Sequence, residues 1–218
     1  MKIPRLYQDL EKWLRPNKVL VIYGPRQVGK TTLIKDFLAT AKFKYRLEGG
    51  ENIRVQEIFQ SQNFDLIQDY ARGNDLIVID EAQKIRGIGL GLKILVDQVQ
   101  GIKVIATGSS SFELAGQVGE PLVGRKLTLT LFPIAHCELK KTAFELNEEL
   151  EKYLIYGKYP AVMVARHADE KKRILEDLVE SYLLKDILEL DRVKNAKILV
   201  DLLRLIAFQI GNEVSLSE

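Results

Sequence analysis

Lys18-Val19-Leu20-Val21-Ile22-Tyr23-Gly24-Pro25-Arg26-Gln27-Val28-Gly29-Lys30-Thr31-Thr32-Leu33 decides the reading of this chain. Its first six residues are almost entirely apolar, as a strand must be when both of its faces are covered. Gly24 to Thr31 then fits the phosphate-binding loop pattern, two glycines spaced ahead of a Lys-Thr pair, and the residues after it have helical spacing. A loop between a buried strand and a helix can turn its backbone N–H groups toward an anion at the positive end of that helix. The ligand implied is a nucleoside triphosphate such as ATP, held along Gly24, Pro25, Arg26, Gln27, Val28, Gly29, Lys30, Thr31 and Thr32. Lys30 is the candidate for the β- and γ-phosphates and the Thr31 hydroxyl for Mg2+.

Outward from this stretch, apolar runs alternate with helical patterns. Leu6, Leu10 and Trp13, widened by Tyr7 and Leu14, predict an amphipathic helix ended by Pro16-Asn17. Downstream, a helix is expected over Thr31 to Lys42, a strand over Phe43 to Leu47 broken by Glu48-Gly49-Gly50, and helical spacing from Ile53 to Tyr70. Strands at Leu76 to Ile79, Lys103 to Thr107 and Leu127 to Leu131 follow, with a helix from about Leu92 to Gln98 between the first two. Strands separated by helices predict an α/β fold with a five-stranded parallel sheet sandwiched by helices. After about Glu138 the patterns are helical only, over Asn147 to Tyr156, Ala168 to Leu190 and Ala196 to Ile210, which predicts a small all-α domain.

Two of these strands end in chemistry. Ile77-Val78-Ile79 runs into Asp80-Glu81, where Asp80 is the candidate for the Mg2+ hydration shell and Glu81 for polarising a water. Val104-Ile105-Ala106 runs into Thr107-Gly108-Ser109-Ser110, whose hydroxyls would face the ligand crevice at the carboxyl ends of a parallel sheet. Thr107 or Ser109 is the candidate sensor of the γ-phosphate; a strand-to-loop cap is the plainer reading.

With Gly24 to Leu33, Ile77 to Ile85, Thr107 to Ser111, Gly124-Arg125 ahead of a strand and Pro133, and Tyr182 to Asp186, the chain resembles the AAA+ superfamily. More narrowly, it is similar to the prokaryotic AAA-type ATPases that carry extra C-terminal domains. The resemblance implies ATP hydrolysis coupled to conformational change, with residues 1–137 as nucleotide-binding core and 138–210 as helical lid. It also implies that Arg125, ahead of the last strand, completes a neighbouring subunit's site in a homo-oligomer, an effect worth about 10³-fold or more in rate. A salt bridge at a strand start is the alternative. Gly157-Lys158-Tyr159-Pro160 resembles the turn by which related lids approach the nucleotide, with a helix-ending turn as the plainer reading; Arg166 is close enough to be considered there.

Ala196 to Ile210 is strongly apolar and stops at Gly211-Asn212, after which Ser215-Leu216-Ser217-Glu218 has the spacing of a capping box. The expectation is a piece of a longer protein, with residues 211–218 the stub of a winged-helix and nuclease-like part that recognises DNA or a protein partner. Two other classes stand beside the ATPase: a nucleotide-dependent regulatory module with feeble hydrolysis, and a P-loop kinase, which Glu81 argues against.

Composition excludes less than it permits. Over 218 residues, 32 Lys and Arg nearly balance 30 Asp and Glu, so the net charge of +2 predicts neither a polyanion binder nor an acidic tail. No apolar run approaches the roughly 20 residues that span a bilayer, and the charged first twenty residues are no secretory signal. The expectation is a soluble cytoplasmic protein with no membrane partner. The single cysteine, Cys137, and its neighbour His136 read as packing residues.

Overall fold

Val19 to Tyr23 are all buried in strand β1 (Lys18–Tyr23), which requires cover on both faces. In the computed structural model, which describes residues 3–109, 118, 120–180, 196–210 and 212, that cover is present. β1 lies between β4 (Lys103–Gly108) and β5 (Lys126–Thr130), with β3 (Leu76–Asp80) and then β2 (Tyr45–Gly49) beyond β4. Every pairing is parallel, so the order 2-3-4-1-5 is an α/β sheet of the P-loop NTPase kind, as the alternation of the sequence predicts.

The period of two along each strand divides the core. Val19, Val21, Ile77, Ile79, Val104 and Ala106 face helices α2 (Ile53–Ser61), α3 (Phe64–Ala71) and α4 (Ile88–Gln98), meeting Val55, Phe59, Ile67 and Leu92. Leu20, Ile22, Leu76, Val78 and Ile105 face the other way, onto Leu33, Ile34 and Phe37 of α1 (Lys30–Leu38) and onto Leu10 and Leu14. Each of the Val, Leu, Ile and Phe side chains among these contributes about 1.5–3 kcal/mol by leaving water.

Past the sheet, short helices α5 (Ala143–Glu148), α6 (Leu150–Tyr156) and α7 (Pro160–Val164) precede α8 (Ala168–Leu178), and α9 spans Ala196–Phe208. No strand follows β5 among the described residues. From residue 181 onward the expected Ala168 to Leu190 helix, Tyr182 to Asp186 included, lies outside them, as do Gly211 and 213–218. No helix of the described residues is long and apolar enough to cross a membrane.

Several expectations differ from what is found; the helix expected over Asn147 to Tyr156 is broken at Glu149, between α5 and α6. The N-terminal helix shrinks to one 3-10 turn, Leu10–Trp13, because Arg5 and the Leu6 N–H are engaged by distant groups and the chain makes a separate turn there, closed by the Gln8 N–H on the Arg5 carbonyl at 3.1 Å. The pattern from Ile53 to Tyr70 is two helices, since Gln62 turns left-handed (φ 53°) and the Asn63 side chain accepts from the Leu66 N–H to start α3. Cys137 is exposed rather than packed, because the 3-10 turn His136–Glu138 buries Glu138 instead.

Candidate functional site

β1, β3 and β4 are parallel and in register, so Tyr23, Asp80 and Gly108 bring their chain ends to one edge of the sheet. At that edge Gly24 has no room for a side chain: a Cβ would lie 2.1 Å from the Leu131 carbonyl oxygen. The Leu131 N–H donates to the Tyr23 carbonyl at 2.7 Å, which presses the loop start against the exit of β5. Val28 is fully buried and anchors the loop to the core beneath α1. Lys30 is buried, and its ammonium donates to the loop's own carbonyls, Gly24 O at 2.9 Å and Pro25 O at 3.1 Å.

The acidic strand end meets the loop directly. The Thr31 hydroxyl donates to Asp80 Oδ2 at 2.7 Å, and the Thr107 hydroxyl donates to Asp80 Oδ1. Thr107 Oγ1 also accepts from the Glu81 N–H at 3.0 Å, so one hydroxyl ties the tips of β3 and β4 together. Glu81 is left-handed (φ 52°, ψ 44°), which is uncommon for a residue with a Cβ and recurs at functional sites. Its carboxylate accepts from Gln83 Nε2 at 2.6 Å. Gly50 supports this turn: its N–H donates to the Asp80 carbonyl at 2.7 Å, and a Cβ there would lie 2.2 Å from the Glu81 carbonyl oxygen. The hydroxyl and carboxylate of Thr31 and Asp80 are hard oxygen donors side by side, a set that fits Mg2+ beside a phosphate.

Two adjoining cavities complete the edge. One of about 310 Å³ is lined by Gln27, Lys30, Thr31, Glu81 and Ala161, and is the more polar of the two. The other, about 430 Å³, is lined mainly by apolar groups, among them Ile3, Val28, Leu33, Ile134 and Val164. Gly29, Thr32 and Pro160 line both, so the two form one cleft with a more polar half at the phosphate loop and a more apolar half beside it. Pro160 brings the Gly157-to-Pro160 turn to the cleft, held by the Ile134 N–H donating to the Lys158 carbonyl at 2.8 Å.

A family model described as an AAA domain matches residues 16–140, more than half of the chain. The chain belongs to the AAA domain family. Its function is thereby nucleotide binding of an ATPase-like kind. Residues 147–218 of this AAA protein match a second model, a domain of unknown function. An uncharacterized protein of Methanocaldococcus jannaschii is 25% identical over 97% of the chain and 51% of its own length. One from Haemophilus influenzae is 26% identical over 97% of the chain and 56% of its own length. A third, from Mycobacterium tuberculosis, is 26% identical over 83% of the chain and 38% of its own length. The chain thus spans about half the length, or less, of these relatives.

Of the expected site residues, the AAA fold gathers Gly24, Lys30, Thr31, Asp80, Glu81 and Thr107. Ser109 is buried just past β4, and of the two hydroxyl candidates Thr107 is the one on Asp80. Arg26 is half-buried within the loop, while Gln27 and Thr32 are exposed and line the cleft. Arg125 lies at the opposite edge: its carbonyl accepts from the Val19 N–H at 2.8 Å, at the start of β1. The length of β5 from there to Thr130 is roughly 16 Å at about 3.3 Å per residue, so Arg125 does not reach its own chain's cleft. Its guanidinium is paired with Asp97 at 2.6 Å, which raises its pKa. Arg166 is exposed and lines neither cavity; Ser110 and Ser111 lie outside the described residues.

Four contributors escape sequence reasoning. Gly50 looks like a strand breaker, and Gln83 like a helix-face polar residue. Arg5 and Glu138 are 133 positions apart, yet Arg5 Nε donates to Glu138 Oε1 at 3.1 Å. The only sequence signal for Arg5 is a basic residue ahead of an apolar strand, which carries no address.

Proposed function

We propose that this AAA domain binds ATP with Mg2+ in the cleft and hydrolyses it to drive a conformational switch. The observation that carries the reading is the linked set Thr31–Asp80–Thr107–Glu81, which joins the phosphate loop to two strand tips beside the polar cavity. In this reading the loop amides and Lys30 hold the phosphates, and Lys30 leaves the Gly24 and Pro25 carbonyls to do so. Thr31 and Asp80 hold the metal, which supplies charge neutralisation at the phosphates when bound. Glu81 accepts the proton of the attacking water, and Thr107, through Asp80 and the Glu81 N–H, keeps acid and metal ligand in register. The apolar cavity takes the base.

In this reading residues 1–137 form the core, 138–210 the helical lid, and 211–218 belong to a further part. Arg125 acts on the nucleotide of a neighbouring copy, and a DNA or protein partner would be engaged through the C-terminal part, by winged-helix and nuclease-like domains in the family pattern. The setting is cytoplasmic. One observation favours slow basal turnover, and with it the regulatory-module reading: the Glu81 carboxylate is already hydrogen-bonded to Gln83.

Calorimetric titration with Mg-ATP, and phosphate release measured with no acceptor present, test the proposal. Binding in the parent, its loss in a folded Lys30→Ala, and release of phosphate are the expected results. Normal affinity in Lys30→Ala would overturn the phosphate-loop assignment; binding without phosphate release would leave the regulatory module in its place.

A further inference from the structure

Arg5 stands apart from the phosphate loop in sequence and is spent on it in space. Its guanidinium is a three-way junction: Nη1 donates to the Val28 carbonyl at 2.6 Å, Nη2 to the Phe132 carbonyl at 2.5 Å, and Nε to Glu138 Oε1 at 3.1 Å. Glu138 is buried and carries more than this pair, since Oε1 also accepts from the Leu6 N–H at 2.6 Å and Oε2 from the Ala135 N–H at 2.9 Å. The side chains of Arg5 and Glu138 are only 11% and 5% exposed, so this ion pair is shielded from competing water, while the arm to Phe132 is open to it.

The bond to Val28 has a directional consequence. A trans peptide is planar with its C=O and N–H pointing opposite ways, so drawing the Val28 carbonyl onto Arg5 turns the Gly29 N–H away from Arg5. Gly29 lines both halves of the cleft, and its N–H is one of the loop donors available to a phosphate. Glu138 and Phe132 belong to the segment that links β5 to the helical region, so the same guanidinium ties that peptide to the segment carrying the helices.

We propose that Arg5, oriented by Glu138, is a positioning residue that sets the phosphate loop for its ligand and couples that setting to the junction with the helical region. The proposal rests on the cleft being a nucleotide site. Arg5 also lines the apolar cavity, and the proposal differs from its serving only as a wall there, because it makes the phosphates and not the base the part of the ligand that feels the loss.

Affinities for Mg-ATP and for Mg-tripolyphosphate, which has no base, separate the cases when measured on the parent, Arg5→Ala, Arg5→Lys and Glu138→Gln. Arg5→Ala should weaken both ligands by about the same factor, on the order of tenfold for a lost charge-assisted contact. Arg5→Lys, which keeps the charge but reaches fewer acceptors, should recover part of it. Glu138→Gln, with one acceptor oxygen in place of two, should shift both ligands in the same direction, and adding it to Arg5→Ala should cost little more. If Arg5→Ala fails to fold, the paired shift in Glu138→Gln decides. Loss for ATP alone would make Arg5 a cavity wall, and unchanged affinities in folded variants would make it purely structural; either overturns the proposal. A parent that binds neither ligand overturns the nucleotide reading itself, and this inference with it.

Discussion

Glu81 is the residue on which local conformation and proposed chemistry meet. Its left-handed backbone is held by the Thr107 hydroxyl on its N–H and leaves no room at Gly50. Glu81→Gln should therefore keep Mg-ATP binding, because Asp80 and Thr31 are untouched, and lose at least about 100-fold in phosphate release, because an amide accepts no proton. An unaltered rate would move the base elsewhere. Gly50→Val should cost about 1–3 kcal/mol in chemical denaturation, since its side chain collides with the Glu81 carbonyl and the turn must shift. Phosphate release should fall with it. A Gly50→Val protein of parental stability would mean that the turn yields freely.

Elements carry the second set of consequences. Helix α3 starts at the Asn63 cap, immediately after the left-handed Gln62 ends α2. Asn63→Ala should lower stability by about 0.5–2 kcal/mol, read by urea denaturation, without altering ATP affinity. The 3-10 turn that follows β5 buries Glu138, and burial alone would push its carboxyl up. The N–H groups of Ala135 and Leu6 and the Arg5 guanidinium outweigh this and hold it below the ordinary 4.5. A folded pKa below the unfolded one contributes stability that is present above the unfolded value and is lost as pH falls through the folded value. The Tm difference between the parent and Glu138→Gln should thus be constant near neutral pH and shrink as pH drops below about 4.5. A constant difference down to pH 3 would show that the carboxylate charge is not what Arg5 reads.

At the scale of the whole molecule, the sheet separates Arg125 from its own cleft by the length of a strand. Any part it plays in hydrolysis must therefore be played in a second copy, after the contact with Asp97 is exchanged for the neighbour's phosphates. If copies cooperate in this way, specific phosphate release should rise with protein concentration, and Arg125→Ala should remove that rise while sparing ATP affinity. A rate per molecule that is flat with concentration, unchanged in Arg125→Ala, would leave the arginine as the partner of Asp97 alone.

The sequence by itself determined what depends on neighbours along the chain. An apolar run followed by Gly24 to Thr31, and another ending in Asp80-Glu81, carry their chemistry in local order, because a strand, a turn and a helix N-terminus are made by adjacent residues. The alternation of such runs with helical patterns also sufficed for the parallel sheet. Tertiary structure alone decided what depends on closure of long loops. It placed Thr107 rather than Ser109 on Asp80, set Gly50 beneath Glu81, and put Arg125 at the far edge. It also brought Arg5 to Glu138, which held the first residues out of the helix their spacing predicted and turned Cys137 outward. Periodicity reports which face of an element is buried, whereas a hydrogen bond across 133 positions is specified only when the sheet between them has formed.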